Sequence, residues 1–226
     1  MGATTARGPH ELPTEFPIFP LTGVLLLPHG RLPLNIFEPR YLAMTEDALG
    51  AGRVLGMIQP NAAAPATTSG PGLYRVGCLG RLSSFSETDD GRYLITLSGL
   101  IRFVVLDELP MRRGYRRVRA DLARYADDAD LPGGGSGFDR VELLAALRHY
   151  FAVGGFEANW DAITQMEDDA LVVTLAMACP FGPAEKQALL EADTPADRAQ
   201  TLLALLHIDA HKHGGDGFGG AGPGRA

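Results

Sequence analysis

The apolar residues of this chain follow two rhythms, and the change between them falls near residue 130. Before it, apolar residues come in short runs that alternate with polar ones and are cut by Pro, Gly or Asp-Gly. After it, they recur every three or four residues over longer stretches. A period of two builds strands and a period of 3.6 builds helices, so neither rhythm can serve the other structure. The chain is therefore expected to fold as a strand-built part followed by a helix-built part. Charge changes at the same place. Residues 1–125 carry 14 Arg against 11 acids, and residues 126–226 carry 6 basic residues against 16 acids, which makes +3 and −10 of the total −7.

In the first part, FPIFP (16–20), VLLLP (24–28) and RVLGMIQ (53–59) read as short strands. RLPLNIF (31–37) puts Leu32, Leu34 and Ile36 on one face. Pro39 opens a helix that runs to Leu49 and stops at Gly50 and Gly52, since Pro suits the first helical position and Gly the end. Residues 73–86 and 93–105 flank Asp89-Asp90-Gly91, a hairpin signal because Asp-Gly accepts the positive φ of a primed turn. YRRVRADLARY (115–125) closes the set with Val118, Ala120 and Leu122 on one face. About six short strands with one helix imply a mixed, barrel-like sheet. ADDADLPGGGSG (126–137) reads as an exposed linker.

In the second part, Ser136 is expected to cap a helix carrying Val141, Leu144, Leu147 and Phe151 on one face. Asp168–Cys179 is a second helix, apolar nearly all round. Pro183–Glu191 is a third, and Thr194-Pro195-Ala196-Asp197 is a capping signal for a fourth bearing Leu202, Leu203, Leu205 and Leu206. The Gly-rich stretch from Gly214 reads as a disordered tail.

Composition narrows the function classes. Only Lys186 and Lys212 are lysines, and neither sits in the Gly-Lys-Ser/Thr ending that a phosphate-gripping Walker A loop requires. The two cysteines, Cys78 and Cys179, are too few and too far apart for a disulfide framework or a zinc pair, and a reducing cytoplasm is the expected compartment. No apolar run approaches the roughly 20 residues of a membrane span, and residues 1–13 lack the apolar core of a signal peptide. G-x-S-x-G and H-E-x-x-H are both missing.

The segment FPIFPLTGVLLLPHGRLPLNIFEPRY (16–41) resembles the opening of the Lon protease N-terminal, substrate-binding domain, with its P-x-F-P-L start and its L-P-L-x-I-F-E-P-R-Y block. LYRVGCLGRL (73–82), GRYLITLSGLIRF (91–103) and PFGPAEKQALLEADTPADRAQTLLALL (180–206) are similar to later blocks of that family. The resemblance covers about 16–208. It implies an α+β fold, with an N-terminal PUA-like β pseudobarrel carrying one helix, followed by a C-terminal α-helical bundle. The expected layout is a flexible N-terminus (1–13), the β-rich subdomain (14–125), the linker (126–137), the helical subdomain (138–213) and the tail (214–226). Full Lon proteases continue into ATPase and Ser-Lys protease domains. This chain lacks those motifs, so it reads as a stand-alone substrate-binding domain of bacterial type, not an enzyme, with no cofactor.

The resemblance directs attention to Phe37, Glu38, Arg40 and Tyr41. They read either as the rim of a peptide-binding groove, with Phe37 and Tyr41 touching the peptide, or as structural staples between helix and sheet. Arg112, Arg113, Arg116, Arg117 and Arg119 form the one basic cluster, usable for RNA or for docking on the acidic helical half. His207 and His211, with Asp209 and His213, have metal-ligand spacing but sit at a helix end beside the Gly tail, where helix capping is the plainer role. The expected partners are protein or peptide clients, with RNA binding or an unrecognised enzyme site as weaker readings and no membrane role.

Overall fold

The structure is a computed structural model, and it describes residues 12–130 and 137–215. Its elements in chain order are β1 (Glu15–Pro20), β2 (Arg31–Ile36), α1 (Pro39–Gly50), β3 (Val54–Ile58), β4 (Val76–Glu87), β5 (Tyr93–Arg112) and β6 (Tyr115–Asp121). A 3-10 stretch (Ala123–Ala129) follows, then α2 (Arg140–Gly154), α3 (Trp160–Gln165), α4 (Asp168–Ala178), α5 (Pro183–Glu191) and α6 (Pro195–Gly215). The chain divides into two compact units. One holds the residues up to 133 together with Ala176–Glu191, and the other holds Gly134–Leu175 with the residues from 192 onward. The α5 sequence, grouped above with the helical subdomain, thus clusters with the strands.

In the first unit the strand order is β2-β5-β4-β3-β1-β6, and β5 also pairs with β6. The 20-residue β5 makes this possible. Residues 93–98 pair with β2, and residues 104–112 pair with β6, so five strands close on themselves and β2 is added outside the ring. Only β1 and β3 run parallel. Closure leaves the ring strands without open edges. Pro33 sits in the added strand β2, where its missing N–H is tolerated. Phe16, Leu55, Leu79, Leu97, Ile101, Phe103 and Val118 fill the interior. Phe103 meets Phe16 edge-on at 5.0 Å between ring centroids. Its ring fills the space where Gly56 and Gly77 have no side chain, because a Cβ there would lie 2.9 and 2.4 Å from it.

The run VLLLP does not form a strand. Leu25, Leu26 and Leu27 are all buried, which an alternating strand with one wet face cannot achieve. The segment instead hugs the bulge at Gly99. His29 N–H donates to Gly99 O (3.0 Å) and Gly99 N–H to Gly30 O (2.9 Å). The Leu27 carbonyl lies where a residue-99 Cβ would stand.

α1 has Pro39 in its first turn and buries Tyr41, Met44, Thr45 and Ala48, an i, i+3, i+4, i+7 stripe. β6 ends at Asp121, and the chain enters the 3-10 stretch rather than continuing as strand to residue 125. The first residues of the expected linker are anchored there. Asp128 accepts from Arg102 N, Nε and Nη2 at 2.8–2.9 Å, while Arg102 Nη1 donates to Leu190 O on α5 (3.1 Å) and its guanidinium stacks over Tyr125. α5 is also held by two buried amides. Gln59 Nε2 donates to Pro183 O (3.0 Å), and Gln187 Nε2 to Val76 O (3.1 Å).

In the second unit, α2 starts at Arg140, not at Ser136, which lies outside the described residues. Asp139 is the cap, accepting from the N–H groups of Val141 and Glu142. The buried face of α2 is Leu143, Ala146, Leu147 and Tyr150, and Val141, expected inside, is 77% exposed. α3 was not foreseen and buries none of its residues. α6 begins with a reciprocal cap. Asp197 N–H donates to Thr194 Oγ1 (3.1 Å), and Thr194 N–H and hydroxyl donate to Asp197 Oδ2. Leu202 and Leu206 are buried on α6, while Leu203 and Leu205 are half-buried. Residues 1–11 of the expected flexible N-terminus, 131–136 of the linker and 216–226 of the tail lie outside the described residues. None of the described helices is long and apolar enough to cross a membrane.

Candidate functional site

The turn from β2 into α1 separates the four residues of the F-E-P-R-Y motif. Glu38 takes the N-cap position with extended backbone but makes no side-chain cap. It pairs instead with Arg40 (Nη2 to Oε2 2.8 Å). The Arg40 guanidinium lies 4.5 Å above the Tyr41 ring. Tyr41 itself is buried against Phe19, with ring centroids 4.1 Å apart, and burial pushes its phenol above the usual range. Of the two readings open for Tyr41, its packing is that of a staple between α1 and β1. Phe37 is left outside, 62% exposed.

The hairpin of β4 and β5 ends beside the turn that carries Phe37, and it has exposed apolar groups of its own. β2 and β5 pair Ile36 with Tyr93 and Asn35 with Leu94. The Arg92 guanidinium stands 5.9 Å from the Phe37 ring, and Arg92 pairs with Asp90 at 2.9 Å. Phe85 meets Tyr93 edge-on at 5.0 Å, and the Tyr93 hydroxyl donates to Glu46 Oε1 (3.2 Å). Phe85 and Leu94 are 41% and 46% exposed. The hairpin end is therefore apolar on both faces: Leu94 on one, Phe85 with Tyr93 on the other, and Phe37 beside them. Sequence reading found Phe37 but missed Phe85 and Leu94, because in an alternating strand they look like ordinary core positions.

The arginine cluster is occupied. Arg112 and Arg113 pair with Asp47 (3.1 and 2.9 Å), and Arg113 also with Glu46 (2.6 Å). Arg116 is buried, holding Glu108 (2.5 Å) and Pro71 O (2.8 Å). Arg117 faces Glu15, and Arg119 pairs with Asp107. All these acids belong to the strand unit. Asp47 also accepts from the Tyr115 hydroxyl (2.6 Å). Burial and that bond push the Tyr115 phenol up to about 12, and the same bond holds the Asp47 carboxyl below its usual range.

No group of three potential metal ligands is present among the described residues. His211 Nδ1 bonds the His207 carbonyl (2.6 Å) on its own helix, and the His213 side chain lies outside the described residues. Lys186 is buried, its Nζ directed at Met177 O (3.4 Å), and burial lowers its pKa. Cys78 and Cys179 are both buried.

A ring of strands closed by one long strand, with a helix after an F-E-P-R-Y turn, is the fold of Lon N-terminal domains. The crystal structure of a Lon N-terminal domain protein from Xanthomonas campestris matches with TM-score 0.55 and 24% identity, over 84% of this chain and 97% of that one. The N-terminal domain of Mycobacterium avium complex Lon protease matches with TM-score 0.56 and 13% identity, over 85% and 98%. The chain belongs to the ATP-dependent protease La (LON) substrate-binding domain family, whose profile matches residues 15–207. Similar proteins include Lon protease 2 of Sorangium cellulosum, 30% identical over 204 residues (84% of this chain), and the Lon protease of Azorhizobium caulinodans, 29% identical over 210 residues (86%). The chain spans 24% and 22% of those two proteins, and 16% of the similar Lon protease of Anaeromyxobacter dehalogenans.

Proposed function

We propose that the chain is a non-catalytic module that binds unfolded protein or peptide segments, in the service of protein quality control. The observation that carries this reading is the apolar hairpin end, where Phe37, Phe85 and Leu94 stay in water although the unit has a closed core to hold such residues. An extended client covering Phe37 would gain most of a Phe side chain's burial, about 1–2 kcal/mol. Pairing of the cationic cluster within its own unit removes the main support for RNA binding.

The test is fluorescence anisotropy of labelled, permanently unfolded casein titrated with the intact chain. Binding is expected, weakened about tenfold in Phe37→Ser/Phe85→Ser, the equivalent of losing about 1.4 kcal/mol. Casein should remain intact with or without ATP. Binding that ignores both substitutions, or cleavage of casein, would overturn the proposal.

A further inference from the structure

The second unit carries an aromatic face that its own core does not use. α2 ends at Gly155 in left-handed conformation (φ 66°), and the chain turns back so that Phe156 N–H donates to Phe151 O (2.9 Å). The Phe156 ring then lies 5.6 Å from Tyr150 and 5.7 Å from Phe151, over Gly154, where a Cβ would collide with it at 2.4 Å. Trp160, the first residue of α3, meets Phe151 edge-on at 5.7 Å. Tyr150 is buried, but Phe151 and Trp160 are only partly covered and Phe156 is 42% exposed. A six-residue helix with no buried residue gains little from packing, and one turn and a half is not stable alone. It is tied to α2 by Trp160, packed on Phe151, and by Arg140, which bonds Thr164 O (2.9 Å) and, beyond α3, Asp168 (2.5 Å).

The charge around this face has one sign. Between residues 149 and 169 there are five acids and no Lys or Arg. Asp168 is taken by Arg140, whereas Glu157, Asp161 and Glu167 are exposed and make no ion pair among the described residues. In the first unit, by contrast, arginines take up Glu15, Glu38, Glu46, Asp47, Asp107 and Glu108. The Arg148 guanidinium stands 5.3 Å above the Trp160 ring, which displays the seat that a guanidinium takes on this indole.

We infer that this face binds cationic amphipathic segments, in which Arg or Lys alternates with bulky apolar residues. The apolar side chains cover Phe151, Phe156 and Trp160, and the cations answer Glu157, Asp161 and Glu167. Apolar contact supplies the affinity, and the acidic surround rejects acidic segments of equal hydrophobicity. The site is separate from the hairpin end of the first unit and stands without it.

Trp160 is the only tryptophan, so its emission reports on this face directly in the intact chain. The probes are three synthetic peptides: alternating Arg/Leu, alternating Glu/Leu and alternating Arg/Ser. Arg/Leu should change Trp160 emission saturably, at least about tenfold more tightly than either control, and should weaken several-fold between low and moderate salt as exposed charges are screened. Phe156→Ser and the double change Glu157→Gln/Asp161→Asn should each weaken it about fivefold or more, with helical circular dichroism unchanged. The charge-only variant covers the case in which loss of Phe156 disturbs the turn. Phe37→Ser/Phe85→Ser should leave the response intact even if it abolishes casein binding. The inference fails if Glu/Leu binds as tightly, if the charge-only variant binds normally, or if the response disappears with the Phe37/Phe85 pair.

Discussion

Arg102→Met tests the anchor between β5, the 3-10 stretch and α5. The side chains of Arg102 and Asp128 are 5% and 11% exposed, so water barely screens them. Methionine keeps the aliphatic volume of Arg102 but removes the guanidinium. Asp128 is then left with a single bond of this set, from the Arg102 N–H, and the Leu190 carbonyl loses its donor. Breaking one side of a buried pair costs about 3–5 kcal/mol, because the remaining charge stays desolvated. Removing both charges in Arg102→Met/Asp128→Leu should recover most of it and leave the chain within about 2 kcal/mol of the parent. Urea unfolding read by circular dichroism measures the loss, and hydrogen exchange at residues 102 and 190 places it in the strand unit. A single variant within about 1 kcal/mol of the parent, or a double variant no better than the single, would refute this account.

Other outcomes can be checked alongside. Gly99→Ala drives a Cβ into the Leu27 carbonyl and should cost about 3 kcal/mol or more, whereas Gly91→Ala, in open space at φ +78°, should cost about 1; thermal melts separate the two. Tyr115 ionises later folded than unfolded, so its contribution to stability is full below pH 10 and is lost as pH rises from 10 towards 12. Phenolate absorbance should therefore show a late-titrating tyrosine that vanishes in Tyr115→Phe and moves earlier in Asp47→Asn. Thr194→Ala removes half of the reciprocal cap on α6 and should cost about 1 kcal/mol in urea unfolding.

Local chemistry made several elements legible in the sequence. The Asp-Gly turn, Pro39 at the start of α1 and the Thr194/Asp197 cap each act within four residues, and each is found where the pattern puts it. Features that depend on distant partners were not legible. The 24–28 run looks like a strand until Gly99, some 70 positions away, shows where its backbone bonds go. The buried face of α2 is displaced from the expected one because Leu143 and Tyr150, rather than Val141, meet the rest of the unit. α3 is too short and too exposed to leave a period. At the site, Phe37 was visible through its motif, while Phe85 on β4 and Leu94 on β5 became visible only when the two strands paired into the hairpin. The arginine cluster was visible as charge, but its carboxylate partners on α1 were not.

The strand unit is discontinuous along the chain, since it takes up Ala176–Glu191 after a stretch that belongs elsewhere. Synthesis therefore cannot complete it in order. When residue 130 has left the ribosome, every strand has been made, yet Gln59, the Val76 carbonyl and Arg102 still lack their partners on α5. About sixty more residues must follow, roughly 3–12 s at ordinary elongation rates. During that interval the nascent ring exposes polar groups destined for burial and the apolar surface that α5 will cover. A gene cut at residue 130 makes that waiting state permanent, and supplying 176–191 in trans is what would end it.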